Sequence, residues 1–258
     1  MTNIHPTALV DSKAEIHPSV TVGPYSIVGP HVKLEEGVNI GPHVVVTGHT
    51  TLGKNVRVFQ FASVGENPQD LKFKGEPTRL FVGEGTVVRE YVSLHVGTAS
   101  GRSETRVGAR CLLMSSVHVA HDCIVGDEVI IASGTALAGH VTVGNQAIIS
   151  GLVGVHQFTR IGRNAFIAGG AVVVEDVIPF AYAQGDRARL RGLNLEGLKR
   201  RGYSPERLAS IKAAYKTMFR EKRTLEDALV QLEKSASTQD ARDILEFCKV
   251  HKRAIMRP

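Results

Sequence analysis

The chain has 258 residues, 43% hydrophobic, 5% aromatic and without tryptophan, and its 31 Lys and Arg exceed 25 Asp and Glu, for a formal net charge of +6. No apolar run approaches a membrane span and no charged-then-apolar signal segment opens the chain, which argues against a membrane protein and against export. Three cysteines with no CxxC pair exclude a disulfide framework and suit a reducing, cytoplasmic setting.

From Ile4 to Val64 an aliphatic residue recurs at every sixth position, through Val10, Ile16, Val22, Val28 and Leu34. A period of six matches neither a helix at 3.6 nor a plain strand at 2. It is the signature of a hexapeptide parallel β-helix, a triangular prism in which three hexads make one coil. The aliphatic residue points inward, and a small residue four places on fits the narrow interior. Cys111 and Cys123 hold that small position, which reads as core. Glycine follows the aliphatic in many hexads, as at Gly23, Gly41, Gly108 and Gly144, and reads as a bend that β-branched residues resist. A β-sandwich would show period-two alternation and irregular turn spacing instead.

The first interruption, GENPQDLKFKGEPTRLF, covers about 65–81. The beat returns at Val82, Val88 and Leu94, and a second interruption, VGTASGRSETR, covers about 96–106. From Val107 the hexads restart one residue out of phase and run to Val173. If both interruptions are extruded loops, the hexads starting at Val64, Leu94, Val119, Leu137 and Val155 stack on one face. That stacking brings His95, His118, His121, His140 and His156 together, beside the loop bearing Gln69, Asp70 and Lys72. His95 alone reads as an ordinary surface residue. His121, with Asp122 beside it, reads as functional. Neutral imidazole also ligates zinc, but no two of these histidines are five apart, as they are in the metal-binding hexapeptide carbonic anhydrases, and no metal is expected.

Near Gly185 the character changes, dividing the chain into a β-helix over 1–185 and a helical C-terminal domain over 186–258. Ser204-Pro205 caps a segment with an apolar stripe at Leu208, Ile211, Tyr215, Met218 and Phe219. Thr224 opens a second helix, and a third starts near Gln239. Residues 186–258 carry 18 Lys and Arg against 10 Asp and Glu, so the basic excess lies in this tail. Such a patch could meet nucleic acid, anionic lipid or an acidic protein. Nucleic acid is disfavoured, because no stacking aromatics line a groove.

Hexads alone indicate only a superfamily. The stretches FASVGENPQDLKFKGEPTR (61–79), HVAHDCIVG (118–126), LAGHVTVG (137–144), GVHQF (154–158) and NLEGLKRRG (194–202) resemble the acyl-[acyl carrier protein]–UDP-N-acetylglucosamine O-acyltransferase family, which performs the first step of lipid A biosynthesis. The resemblance spans essentially the whole chain. It implies a left-handed prism, although most parallel crossovers are right-handed, and a homotrimer with active sites between neighbouring prisms. It implies transfer of a 3-hydroxyacyl chain from acyl carrier protein to the sugar 3-hydroxyl without a cofactor, with a 3-amino sugar nucleotide as the alternative acceptor.

By motif, His121 matches the family's general base, Asp122 the carboxylate that orients it, and Gly139 the backbone donor to the oxyanion. Gln69, Asp70 and Lys72 lie in the loop toward the sugar–phosphate, with Asp70 and Lys72 matching its contacts. His118 and His140 line the glucosamine pocket. His156 and Gln157 lie on the nucleotide side, and Asn194, Glu196, Arg200 and Arg201 hold uridine and phosphates. Gly169 matches the position whose bulk sets acyl length, and glycine there implies a longer chain. The acidic carrier would dock on Lys212, Lys216, Arg220, Lys222 and Arg223. A sister N-acyltransferase would carry an extra N-terminal domain, whereas the hexads here begin at Ile4. The basic tail and NLEGLKRRG argue against an acetyl-coenzyme A transferase, and a non-catalytic scaffold would not need the histidine face.

Overall fold

The computed structural model describes residues 3–221, 223–250 and 253–258; Lys222 lies outside them. Three sheets form the walls of a prism. The first face has eleven strands, beginning at Asn3–Ile4; the second has nine, beginning at Leu9–Val10; the third has eight, beginning at Glu15–Ile16. The coils wind left-handed. Pairing is parallel from coil to coil, except for the closing hairpin of Ala181–Gln184 with Arg189–Leu193. The repeating aliphatics fill the interior: Val22, Val28, Leu34, Ile40, Leu113 and Ile131 are each at most 1% exposed. Each coil therefore buries its apolar residues against the coils above and below it.

The bend expected at the glycine after each aliphatic lies elsewhere. Left-handed backbone falls three residues after the aliphatic, at Tyr25, His43, Asp122, His140 and Phe158, with φ between 55° and 64°. The glycine is needed for close approach between coils. A Cβ on Gly23 would lie 2.7 Å from the carbonyl carbon of Gly41, and one on Gly108 would lie 2.5 Å from that of Gly126. A side chain there would push successive coils apart. Bulky residues at the left-handed position carry a backbone penalty of roughly 1–2 kcal/mol each. Ring stacking offsets part of it. Tyr25, His43, Phe61 and Tyr91 form a ladder with centroid spacings of 5.1, 5.3 and 5.1 Å.

Both interruptions are looped out at the corner between the second and third faces. Val64 pairs with Leu94, and Val82 with Val107, so the ladder absorbs the one-residue change of phase. The flanking strands, Ser63–Glu66, Arg79–Val82, Ser93–His95 and Glu104–Val107, leave loops of 67–78 and 96–103. Gly65 marks a register shift in the strand just before the first loop, with φ of 88°. Thr50 Oγ1 and the Thr47 carbonyl leave no room there for a Cβ.

Four helices follow: α1 (Leu195–Arg200), α2 (Pro205–Phe219), α3 (Leu225–Ser235) and α4 (Gln239–Lys249). Ser204, Thr224 and Thr238 cap the last three through their side-chain oxygens. Leu208, Ile211, Tyr215 and Met218 are buried along α2. Buried Asp240 on α4 accepts hydrogen bonds from Arg163 of the prism (2.6 Å) and Arg207 of α2 (2.8 Å from each of two nitrogens). These charge-assisted contacts tie the helices to the last coils. No helix among the described residues is long and apolar enough to cross a membrane.

Candidate active site

The stacked register builds one column on the second face. Ser93 pairs with His118, His118 with Ala136, Ala136 with Gly154, and Gly154 with Val172. A groove of about 480 Å³ runs along it, lined by Gln69, His95, His118, His121, Gly139 and His156 at the polar end and by Ala136, Gly154, Val155, Val172 and Val174 along the apolar run. This size and polarity suit a small-molecule site.

His121 and Asp122 occupy the corner of their coil. His121 Nδ1 lies 2.8 Å from Asp122 Oδ2. The Asp122 carboxylate is fully buried. It accepts hydrogen bonds from the Thr98 hydroxyl (2.6 Å), the Thr98 N–H (3.2 Å) and the Arg102 N–H (2.6 Å). Burial alone would raise its pKa. The bonds from Thr98, His121 and Arg102 outweigh burial and hold the carboxyl below its ordinary value. An ionised carboxylate only accepts, so Nδ1 of His121 is the donor and Nε2 is left as the basic nitrogen. Gly101 packs directly on this carboxylate, where a Cβ would overlap it.

The other imidazoles surround this pair. His140 stands edge-on to His121 at 5.1 Å and stacks on Phe158 at 4.3 Å. Burial, the largest cause, lowers its pKa. His118 takes or gives a hydrogen bond with Ser93 Oγ at 2.7 Å, and burial, then His121, lowers its pKa. His95 is only 5% exposed and is not the surface residue its hexad position suggests. His118 stands edge-on against it at 4.9 Å. Burial, then His118, pushes it down to about 4, and its Nδ1 has no hydrogen-bond partner among the described residues. His156 is exposed, with Nδ1 3.1 Å from the carbonyl of Gln157.

Gly139 lies in the turn after Ala136–Leu137. Its carbonyl accepts from Phe158 N–H, while its own N–H donates to no group among the described residues. Proline fills the same turn position at Pro24, Pro30 and Pro42, which shows that the coil does not use this N–H. His121, Asp122 and His140 bring possible metal-ligand atoms within 4.8 Å of one another. Hydrogen bonds already engage both oxygens of Asp122.

The remaining residues lie outside this groove lining. In the first loop, Asp70 Oδ1 accepts the Lys72 N–H at 3.0 Å and shapes the turn, while the Lys72 side chain is exposed. Gln157 is exposed. Gly169 sits in the turn before Val172–Val173. Asn194, Glu196, Arg200 and Arg201 line a separate cavity of about 710 Å³ on the first face, with Tyr182 and Phe166. Asn194 caps α1 and donates to the Asn164 carbonyl. Arg201 lies 3.7 Å from Glu128. Within one chain these residues do not meet the histidines. The hexad count also gives no sign of Thr98, Gly101, Arg102 or Phe158.

Three comparisons with known proteins point to one family. The family model "Udp N-acetylglucosamine O-acyltransferase; Domain 2" matches residues 176–256, and the hexapeptide-transferase repeat model matches 13–48 and 104–139. The acyl-[acyl-carrier-protein]–UDP-N-acetylglucosamine O-acyltransferase of Myxococcus xanthus (strain DK1622) is 52% identical over 191 residues, 74% of each chain. That of Thiobacillus denitrificans (strain ATCC 25259 / T1) is 45% identical over 191 residues, again 74% of each chain. The crystal structure of UDP-N-acetylglucosamine O-acyltransferase from Moraxella catarrhalis RH4 superposes with a TM-score of 0.97 at 39% identity, covering 98% of this chain and 99% of that one. The Arabidopsis UDP-N-acetylglucosamine acyltransferase superposes at 0.85 with 36% identity, covering 98% and 100%.

Proposed function

The chain belongs to the acyl-[acyl-carrier-protein]–UDP-N-acetylglucosamine O-acyltransferase family, and we propose that it transfers a 3-hydroxyacyl chain from acyl carrier protein to the 3-hydroxyl of UDP-N-acetylglucosamine, the first step of lipid A biosynthesis. The observation that carries this reading is the His121–Asp122 pair at the polar end of a groove whose other end is apolar.

The chemistry follows from the placement. A sugar hydroxyl is a poor nucleophile until a base removes its proton. His121 Nε2 takes that proton while Asp122 holds Nδ1–H and balances the imidazolium that forms. The hydroxyl oxygen bonds to the thioester carbonyl carbon, and negative charge moves onto the carbonyl oxygen. The unused N–H of Gly139 is the donor for that charge. When the tetrahedral carbon collapses, the C–S bond breaks and His121 returns the proton to sulfur. The acyl chain runs along Ala136, Gly154 and Val172, and Gly169 limits its length. Asp70, Lys72, His118, His140, His156 and Gln157 orient the nucleotide sugar.

We infer a homotrimer, since the nucleotide end of the substrate needs Asn194, Glu196, Arg200 and Arg201, which one chain keeps on another face. Carrier docking suits Lys212 and Lys216 of α2 and its C-cap Arg220, exposed at four-residue spacing. Cys111 and Cys123 are buried in the core of the prism as free thiols, in keeping with a reducing, cytoplasmic setting. The test is an acyl-transfer assay with UDP-N-acetylglucosamine, its 3-amino analogue and a panel of 3-hydroxyacyl carrier proteins. Undiminished transfer by His121→Ala would remove the proposed base.

A further inference from the structure

Around the corner from the histidine groove, a cleft of about 460 Å³ opens between the third face and the end of the chain. His140 and Phe158 form one wall. Three arginines from distant parts of the sequence line the rest: Arg102 from the second loop, Arg160 from the third face and Arg253 from the C-terminal segment.

The three are not equivalent. Arg160 is neutralised by an ion pair: Nε donates to Asp176 Oδ2 at 2.7 Å, Nη2 donates to the Phe247 carbonyl at 3.0 Å, and the guanidinium covers the Phe247 ring. Arg102 donates Nη1 to the Asp122 carbonyl at 3.0 Å and reaches Thr142 Oγ1 only at 3.5 Å. Arg253 donates Nη1 to the Val174 carbonyl at 3.0 Å. A guanidinium has five N–H donors, so most of those on Arg102 and Arg253 have no acceptor among the described residues. Neither forms an ion pair among the described residues. The cleft's one carboxylate, Asp176, is 1% exposed and already bound by Arg160.

Two unneutralised forks at one cleft select an anion with several oxygens, and phosphate matches that geometry. The cleft also has an apolar side, since Phe158 is 51% and Val250 is 65% exposed. An organic group attached to the phosphate can rest there. We propose that Arg102 and Arg253 form a binding site for an organic phosphate immediately beside the catalytic histidine. The site adjoins the base directly, because Arg102 also holds Asp122 by its backbone N–H. On the acyltransfer reading, on which this assignment of ligand rests, two substrates bring such a group. One is the diphosphate of the nucleotide sugar; the other is the phosphodiester of the carrier's prosthetic arm.

Calorimetry on the full chain with inorganic phosphate, UDP and 4′-phosphopantetheine tests the site without relying on activity. The wild type is expected to bind UDP or phosphopantetheine, and Arg102→Ala and Arg253→Ala should each weaken that binding about tenfold or more. Arg253→Ala leaves the surroundings of Asp122 intact, and Arg253→Lys should recover part of the loss. Steady-state kinetics identify the source: KM rises about tenfold for the nucleotide sugar in one case and for the acyl carrier in the other. If the wild type binds none of the three probes, or if both folded variants bind them as the wild type does, the site is refuted. Arginine-dependent phosphate binding in a protein that acylates no nucleotide sugar would retain the site and defeat the acyltransfer reading alone.

Discussion

Gly139 is the floor on which the His121 ring rests: a Cβ added there would stand 2.7 Å from both Cε1 and Nε2 of His121. That distance is shorter than real Cβ atoms tolerate, and the nearest atoms belong to the proposed base itself. Glycine therefore has two roles here. It leaves an unused N–H beside the base, and it lets the base sit against the turn.

Gly139→Ala should accordingly damage catalysis without unfolding the prism. Its backbone is not left-handed, so alanine adds little strain, and the ring must shift instead. A displacement of about 1 Å in a catalytic group lowers the rate by about a hundredfold. Initial-rate assays beside a circular-dichroism melt check this. A kcat close to wild type in a folded variant would show that the ring does not need that seat. Gly101→Ala should act similarly through the Asp122 carboxylate.

Acid should destabilise the protein in two separate windows. His95 is pushed down to about 4 by burial and His118, against an unfolded value near 6.5. Its folded pKa lies below its unfolded one, so the unfolded chain binds the extra proton first. Stability is full above about pH 6.5 and falls as pH drops toward about 4, by about 3 kcal/mol in total from this group. Asp122 is also depressed, so its contribution is present above about pH 4 and is lost only below that, as pH falls through its folded value. Urea melts at pH 7.5, 5.5 and 4.5 should show the first loss, and His95→Phe should flatten that slope. An unchanged slope in that variant would mean that the His95 proton is not what the fold excludes.

Much of this was legible from the sequence because the inward aliphatic recurs so often that single exceptions cannot hide the period. Counting hexads also placed His118, His121, His140 and His156 on one face, since coils can stack in only one register. The rest depends on contacts that no period encodes. His95 is buried with His118 edge-on against it, a contact between two coils. Thr98, Gly101 and Arg102 hold Asp122 from a loop with no repeat. The glycines after each aliphatic answer to the backbone of the next coil, which a single hexad cannot reveal. Arg200 and Arg201 line a separate cavity on the first face, away from the histidines, and no count of hexads relates the two sets.

That separation makes a complementation experiment decisive. His121→Ala removes the base from one chain's groove, and the Arg200→Ala/Arg201→Ala pair removes the cationic side of the other cavity. Each variant alone should lose at least about a hundredfold in activity. If neighbouring chains share a site, mixing the two after mild dissociation should restore sites that combine an intact groove with an intact arginine pair. Activity of the mixture should then exceed the sum of its parts. Simple additivity, in a mixture shown to exchange subunits, would place the whole site within one chain.

Chain-length selection offers a test in which folding is not at stake. A Cβ on Gly169 would meet only the Gly151 carbonyl oxygen at 3.4 Å and Ser150 Cβ at 3.8 Å, which is ordinary contact. The backbone there is also not left-handed, so a larger side chain can be carried without strain. Its remaining atoms must then enter the space between this turn and whatever lies opposite. If that space holds the end of the acyl chain, Gly169→Met should shift preference toward shorter 3-hydroxyacyl donors. Each methylene denied burial is worth about 0.8 kcal/mol, so a donor longer by two carbons should lose roughly tenfold or more in kcat/KM relative to the shorter one. Competition assays with mixed carriers measure that ratio directly. A ratio unchanged from wild type would move the ruler away from Gly169, toward the outward column of Ala136, Gly154 and Val172, where Gly154 has no atom within 4 Å of an added Cβ.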